Sequence, residues 1–238
     1  MDYDLKKFEQ GLEKLNLTLT DKQMQQFLSY YEYLVEMNRV MNLTSITEFN
    51  EVIKKHFLDS LSLCQVYDLC EESRVIDLGT GAGFPGIPLK IVFPDLDLVL
   101  ADSLYKRVKF LEDVVERLHL EKIELLHARA EELGRNPKYR EQFNLCISRA
   151  VANLSTLSEY CIPFVREGGY FISYKSGEIE EEVEEAKKAI FVLGGKVQDV
   201  YKFDLYEQKR SFVIIQKEKK TPKAYPRKAG TPTKSPLI

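Results

Sequence analysis

The sequence predicts an α/β fold: a mostly parallel, seven-stranded sheet with helices on both faces and an antiparallel last strand, preceded by N-terminal helices. Two observations lead there. From Arg74 onward, short apolar runs alternate with helically patterned segments, and the runs are too uniformly apolar for strands with one face in water. Before Arg74 nothing is patterned as a strand.

Apolar residues at Leu5, Phe8, Leu12 and Leu15, then at Met24, Phe27, Leu28, Tyr31, Leu34 and Val35, recur at helical spacing and predict two amphipathic helices. The second opens on Thr20-Asp-Lys-Gln23, a capping box whose hydroxyl and amide satisfy opposite ends of the first turn. After "RVMNLTSITEFN" a third helix is expected over about residues 49 to 67, carrying "KKHFLDSLSLC".

The alternation then begins with the strand VIDL, a glycine loop and the helix GIPLKIVF. Strand LDLVLAD, helix YKRVKFLEDVVERLHL, strand IELLHA, strand FNLCISRAV and a helix to about residue 161 follow. Next come strand GGYFISYKS and an acidic helix, Glu178 to Leu193, stopping at Gly194-Gly195 where a helix C-terminus favours glycine. Strands VQDVYKFDL and RSFVIIQK are separated by only a few polar residues, which predicts an antiparallel hairpin. Three units are expected: a helical extension (1–70), the α/β domain (71–216) and a basic tail (217–238) whose four prolines argue against helix or central strand.

With 238 residues, 44% of them hydrophobic, the chain supports one sizeable core. An acidic, mixed opening and the lack of a long apolar run exclude a signal peptide and a membrane span, so a cytoplasmic protein is expected. Cys64, Cys70, Cys146 and Cys161 lack C-x-x-C spacing, and only His56, His119 and His127 are available beside them. They read as reduced, mostly buried thiols, and no metal is expected. The net charge of −3 hides an asymmetry: Lys217 to Ile238 holds seven basic residues against Glu218, a charge of +6, leaving −9 on the rest.

Two glycine registers compete in "VIDLGTGAGFPGIPL". Gly81, Gly83 and Gly86 match the G-x-G-x-x-G of a dinucleotide loop, whereas Asp77, Gly79, Gly81 and Gly83 form D-x-G-x-G-x-G. A dinucleotide site wants glycines at the strand's end running into an unbroken helix whose first amides face a pyrophosphate. Here the strand stops at Gly79, and Pro85 and Pro88 interrupt the start of that helix. In the second register Asp77 is placed to meet an ammonium, directly or through water, and S-adenosylmethionine offers an amino group, a sulfonium and a ribose without a pyrophosphate. Asp102, ending the second strand, suits the ribose hydroxyls of either ligand.

At these residues the sequence resembles a class I, Rossmann-like methyltransferase, and more closely the bacterial 16S rRNA guanine-N7 methyltransferase family, also called glucose-inhibited division protein B. The resemblance runs over "NLTSI" (42–46), "KHFLDSL" (55–61), "DLGTGAGFPGIPL" (77–89), "ADSLYKR" (101–107), "HARAEEL" (127–133), "SRAVANL" (148–154) and "YPRKAGTPTKSPL". It implies an S-adenosylmethionine-dependent enzyme that methylates one guanine of 16S rRNA, free or in the small ribosomal subunit; a monomer is expected. It further implies donor contacts from Gly79 and Phe84, ribose contacts from Asp102 and Ser103, adenine-side contacts from Ala130 and Glu131, and a contact from Arg149 at the mouth of the fourth strand.

Plainer roles stand beside these. Gly83 and Gly86 also suit tight strand-to-helix packing, and Asp102 also suits a helix N-cap. His56 reads best as a satisfied core or interface histidine, and Asn42 and Thr44 as turn residues that the resemblance moves toward the substrate mouth. Arg149 follows an apolar strand and must reach a cleft, a partner or solvent; it is also the one candidate for a direct part in catalysis. Lys106, Arg107, Arg227, Lys228 and Lys234 are the expected phosphate contacts, against the reading of the tail as an idle solubilising end. Glu178 to Glu185 forms a solvated face that would repel RNA.

The acceptor is narrowed by what is absent. No D-P-P-Y or N-P-P-Y follows the fourth strand, as an exocyclic amine would want, and no Pro-Cys pair serves attack on a pyrimidine. Guanine N7 has an in-plane lone pair and needs no base. Other acceptors of a class I methyltransferase (another RNA, a protein, a small molecule), a nicotinamide-dependent reductase and a noncatalytic RNA-binding module remain the competing classes.

Overall fold

A computed structural model describes residues 3–69, 73–150 and 152–237. Cys70, expected to be a reduced thiol, lies outside them. Seven strands form one sheet: β1 (Arg74–Leu78), β2 (Asp97–Asp102), β3 (Ile123–His127), β4 (Phe143–Ser148), β5 (Val165–Ser176), β6 (Gly195–Leu205) and β7 (Gln208–Lys217). Their spatial order is β3-β2-β1-β4-β5-β7-β6; β7 runs antiparallel to both β5 and β6, and every other pair is parallel. The order reverses between β1 and β4, which opens a crevice at their carboxyl ends.

Successive side chains of each strand enter opposite layers. Val75, Leu98 and Leu100 face a core shared with Phe8, Phe27, Leu34, Phe57 and Phe110. Ile76, Val99 and Cys146 face the other, with Leu157, Ile190 and Val213. The first layer draws on α1 (Lys6–Lys14) and α2 (Asp21–Met41), which pack against α5 (Gly86–Val92) and α6 (Tyr105–Arg117). The expected capping box is present: Gln23 N donates to Thr20 Oγ1 at 3.2 Å, and Thr20 N to Gln23 Oε1 at 2.9 Å. Gln23 Nε2 also donates to Ile91 O at 2.8 Å, fixing α2 on α5.

The third helix is a composite: α3 (Phe49–Val52), a π-helical stretch (Ile53–Leu58), α4 (Asp59–Leu61) and a 3-10 turn (Ser62–Gln65). The widened π turn brings His56 and Asp59 inward on the same side. The short α7 (Ala130–Leu133) was not anticipated; α8 (Leu154–Cys161) was, and α9 (Glu180–Val192) starts two residues later than expected.

The tail corrects the expectation drawn from its prolines. Lys217 is the last residue of β7 and is buried, its Nζ donating to Thr221 Oγ1 at 2.7 Å and Ile162 O at 3.0 Å. Thr231–Lys234 forms a short helix, α10, with Pro232 in its first turn, where the missing N–H costs nothing. Prolines leave carbonyls without matching ladder donors, and arginines supply them. Arg140 Nη2 reaches Thr221 O at 2.7 Å, Arg140 Nη1 reaches Tyr225 O at 2.9 Å and Arg135 Nε reaches Pro226 O at 2.9 Å.

Candidate functional site

The glycine loop leaves β1 at a buried carboxylate. Asp77 Oδ2 accepts Thr80 Oγ1 at 2.6 Å and Gly86 N at 2.9 Å, closing the loop onto the first residue of α5. Asp77 Oδ1 is buried without a donor among the described residues, and burial raises the carboxyl pKa to about 6. Gly79 (φ +73°) and Gly81 (φ +63°) carry the turn in the left-handed region. Gly83 and Gly86 serve packing, since a Cβ would lie 2.6 Å from Ile87 Cγ1 at the first and 2.3 Å from Leu100 Cδ2 at the second.

Asp102, at the end of β2, holds the loop from the other side. Its Oδ2 accepts Gly81 N at 2.9 Å and its Oδ1 accepts Leu104 N at 2.8 Å, with Arg107 Nη1 at 3.3 Å from Oδ2. Above it is a cavity of about 280 Å³ lined by Gly79, Asp102, Ser103, Ala130 and Glu131, five of the expected donor contacts. Asp77, Gly81, Gly83 and Phe84 stand outside that lining. The sequence reading missed the far wall: Tyr160 of α8, with Gly230 and Thr233 of the tail. Gly230 N donates to Glu131 Oε1 at 2.8 Å, and Tyr160 Oη lies 2.8 Å from Thr233 Oγ1. The only signal for it was a lone glycine among prolines.

Arg149 lines a second cavity, of about 910 Å³, together with His56, Asp59 and Arg210. Ala150 and Ala152 line both cavities, so the two adjoin along one wall. Arg149 Nη1 donates to Asp59 Oδ2 at 2.8 Å and to Lys55 O at 3.1 Å, and its guanidinium lies over the Phe84 ring at 5.2 Å. The His56 ring stacks on Phe84 with centroids 4.5 Å apart. Burial and the neighbouring Arg149 cation push the imidazole pKa down to about 3, so it is neutral. With Nδ1 donating to Lys55 O at 3.1 Å, its Nε2 accepts from Thr44 Oγ1 at 2.8 Å.

That hydrogen bond gives the N-terminal turn its place. Asn42 closes α2 with φ +52°, and Asn38 Oδ1 accepts Leu43 N at 2.6 Å and Thr44 N at 2.8 Å. Ile46, two residues on, lines the larger cavity.

Among the expected phosphate contacts, Lys228 and Lys234 are exposed. Lys106 Nζ donates to Met41 O at 2.9 Å, and Arg107 pairs with Asp102. Arg227 departs from expectation: it is spent on Glu159, a buried carboxylate that would otherwise lack a counter-charge. Cys146 and Cys161 are buried free thiols. Among the described residues no cluster suits a metal, and no helix is long and apolar enough to cross a membrane.

A family model described as "GidB: rRNA small subunit methyltransferase G" matches residues 23–213. The Ribosomal RNA small subunit methyltransferase G of Lachnoclostridium phytofermentans is 52% identical over 233 residues, covering 97% of this chain and 96% of that protein. Among solved structures, a SAM dependent methyltransferase from Aquifex aeolicus superposes with a TM-score of 0.52 at 18% identity, covering 69% of this chain and 92% of that one. M. jannaschii TYW2 in complex with AdoMet superposes with a TM-score of 0.55 at 15% identity, covering 73% and 79%. Both structural likenesses bear on the fold alone.

Proposed function

The chain belongs to the rRNA small subunit methyltransferase G family, and from that premise we propose that the smaller cavity holds S-adenosylmethionine and the larger admits one guanine of 16S rRNA, whose N7 receives the methyl group. The observation that carries this reading is the wall of Ala150 and Ala152 common to both cavities, which sets the two side by side.

The residues present fit this donor. Asp77 Oδ1 is a buried acceptor lacking a protein partner among the described residues; it stands directly behind Leu78 and Gly79 of the cavity lining, and an ammonium would have to reach it past them. The first amide of α5 is already taken by Asp77 Oδ2, so a carboxylate stands where a dinucleotide would need to seat its pyrophosphate. Gly79, Asp102, Ser103, Ala130 and Glu131 would surround the donor, with Gly81, Gly83 and Phe84 shaping the loop behind them. S-adenosylmethionine supplies an electrophilic methyl group on a sulfonium.

What the chain contributes is position and exclusion of water. Guanine N7 presents its lone pair unaided, and the imidazole nearest it, His56, is held neutral by burial and offers no proton at ordinary pH. Arg149, fixed by Asp59 and Lys55 O, steadies the acceptor side. Lys106, Arg107, Lys228 and Lys234 would meet RNA phosphates, and we assign the enzyme to the cytoplasm, acting as a monomer.

Labelled methyl transfer to unmodified 16S rRNA and to the small subunit, followed by nucleoside identification, tests this. The expected product is 7-methylguanosine; any other methylated nucleoside overturns the assigned acceptor.

A further inference from the structure

The larger cavity carries a charge arrangement that methyl transfer does not call for. Asp59, buried at 3% exposure, is flanked by two guanidiniums: Arg149 Nη1 at 2.8 Å from Oδ2 and Arg210 Nε at 2.9 Å from Oδ1. The second is an ion pair only, because the Nε–H of Arg210 does not point at that oxygen and finds no other acceptor among the described residues. One carboxylate therefore faces two cations. Lys55 and Lys175 also line the wall but are paired, with Glu51 at 2.7 Å and Glu182 at 2.6 Å, and His56 is neutral, so the excess positive charge rests on the two arginines.

Neither arginine exhausts its donors. Arg210 gives Nη2 to Gln208 Oε1 at 3.1 Å, and among the described residues no acceptor meets its Nη1. Arg149 gives Nη1 to Asp59 and Lys55 and approaches His56 Nδ1 through Nη2 at 3.4 Å, while its Nε has no acceptor among the described residues. Both side chains are about one-fifth exposed, at 20% and 22%, so these N–H groups border the cavity rather than open solvent. Paired guanidinium forks over a shared carboxylate match the oxygens of a phosphodiester.

We infer that Arg210 and Arg149 bind an RNA backbone phosphate beside the target guanosine, with Asp59 holding the two guanidiniums in register. This rests on the reading of the larger cavity as the acceptor site. Arg210 lines that cavity and not the smaller one, so the anion belongs to RNA rather than to the carboxylate of the methyl donor. A phosphate fixed here would set which nucleotide of a strand enters between Ile46 and Ala150, both on the cavity wall.

The test uses the full chain and a short RNA copying the 16S sequence around the acceptor guanosine, with single linkages replaced one at a time by uncharged methylphosphonate. Wild-type protein is expected to lose about tenfold in affinity at one linkage flanking that guanosine. Arg210→Gln is expected to bind the unmodified RNA more weakly and to be indifferent to that linkage. Its salt slope should be lower by about 0.7, the value for one phosphate of a single strand no longer neutralised. Its affinity for S-adenosylmethionine should stay unchanged. Arg210→Lys, which keeps the charge beside Asp59, should respond to the same linkage as wild type does. A wild-type scan with no sensitive flanking linkage overturns the inference whatever the variants do. So does an Arg210→Gln protein that loses donor affinity in step with RNA affinity, which would give the anion to the donor. Wild-type protein that fails to methylate 16S rRNA at all would instead overturn the acceptor reading itself.

Discussion

Arg227 encloses the carboxylate of Glu159: its backbone N–H and Nε reach Oε1 at 2.7 and 2.9 Å, and its Nη2 reaches Oε2 at 2.6 Å. Glu159 is fully buried on α8, and removing Arg227 leaves that charge without its partner. Arg227→Ala is expected to lower unfolding free energy by about 3 kcal/mol in urea titration. Because Gly230 and Thr233 follow directly and line the smaller cavity, S-adenosylmethionine affinity should fall as well. Unchanged donor affinity in the folded variant would separate the tail from the donor site.

The exposed lysines of the same segment behave differently. Lys228→Ala with Lys234→Ala should leave donor binding and stability alone and reduce the RNA salt slope by about 0.7 for each phosphate no longer neutralised. Truncation after Lys217, by contrast, should abolish donor binding as well, since it removes one wall of the cavity. Isothermal calorimetry with the donor distinguishes the two variants.

Asp77 makes a pH-dependent contribution of definite sign. Its folded pKa of about 6 lies above the ordinary carboxylate range near 4, so the folded state holds its proton longer than the unfolded chain does. The contribution is most favourable below pH ~4 and is lost as pH rises through 6, about 3 kcal/mol in all. Asp77→Asn should flatten that limb of the stability curve. If the donor's ammonium meets Asp77 Oδ1, donor affinity should rise over the same interval in wild type and not in the variant.

His56 acts in the opposite sense. Its pKa of about 3 lies below that of an unfolded histidine, so its contribution is complete above pH ~6.5 and is lost as pH falls toward 3, by up to about 5 kcal/mol. Acid titration of His56→Gln should lack this loss. Methyl transfer by wild type should show no limb between pH 5 and 8 attributable to the imidazole; a limb that disappears in His56→Gln would give it a protonation role.

Much of this was legible in the chain. The seven mostly parallel strands and the antiparallel β7 follow from uniformly apolar runs and one short connection, and the Thr20-Gln23 box marked the start of α2 to the residue. Gly79, Asp102, Ser103, Ala130 and Glu131 were expected near strand ends and line one cavity, because an open α/β sheet leaves its crevice there. The missed features depend on distant partners. Proline content argued against helix or strand in the tail because the prolines are visible in sequence, while Arg135 and Arg140, which hold its carbonyls in place, stand some eighty to ninety residues away. Arg210 carried no motif, being one basic residue at the start of a strand, and only the fold sets it opposite Arg149 across Asp59. The π turn that aligns His56 with Asp59 has no periodicity signal distinct from an ordinary helix.

The bond from Gly230 to Glu131 spans ninety-nine residues of chain. Gly230 follows every strand of the sheet in the chain, so synthesis from the N-terminus supplies the whole sheet before it supplies this partner. A nascent polypeptide thus carries all seven strands and the glycine loop while the Gly230 and Thr233 side of the smaller cavity is still unmade. Donor occupancy would then report that synthesis has passed the tail, so partly made chains would draw no methyl donor away from finished enzyme.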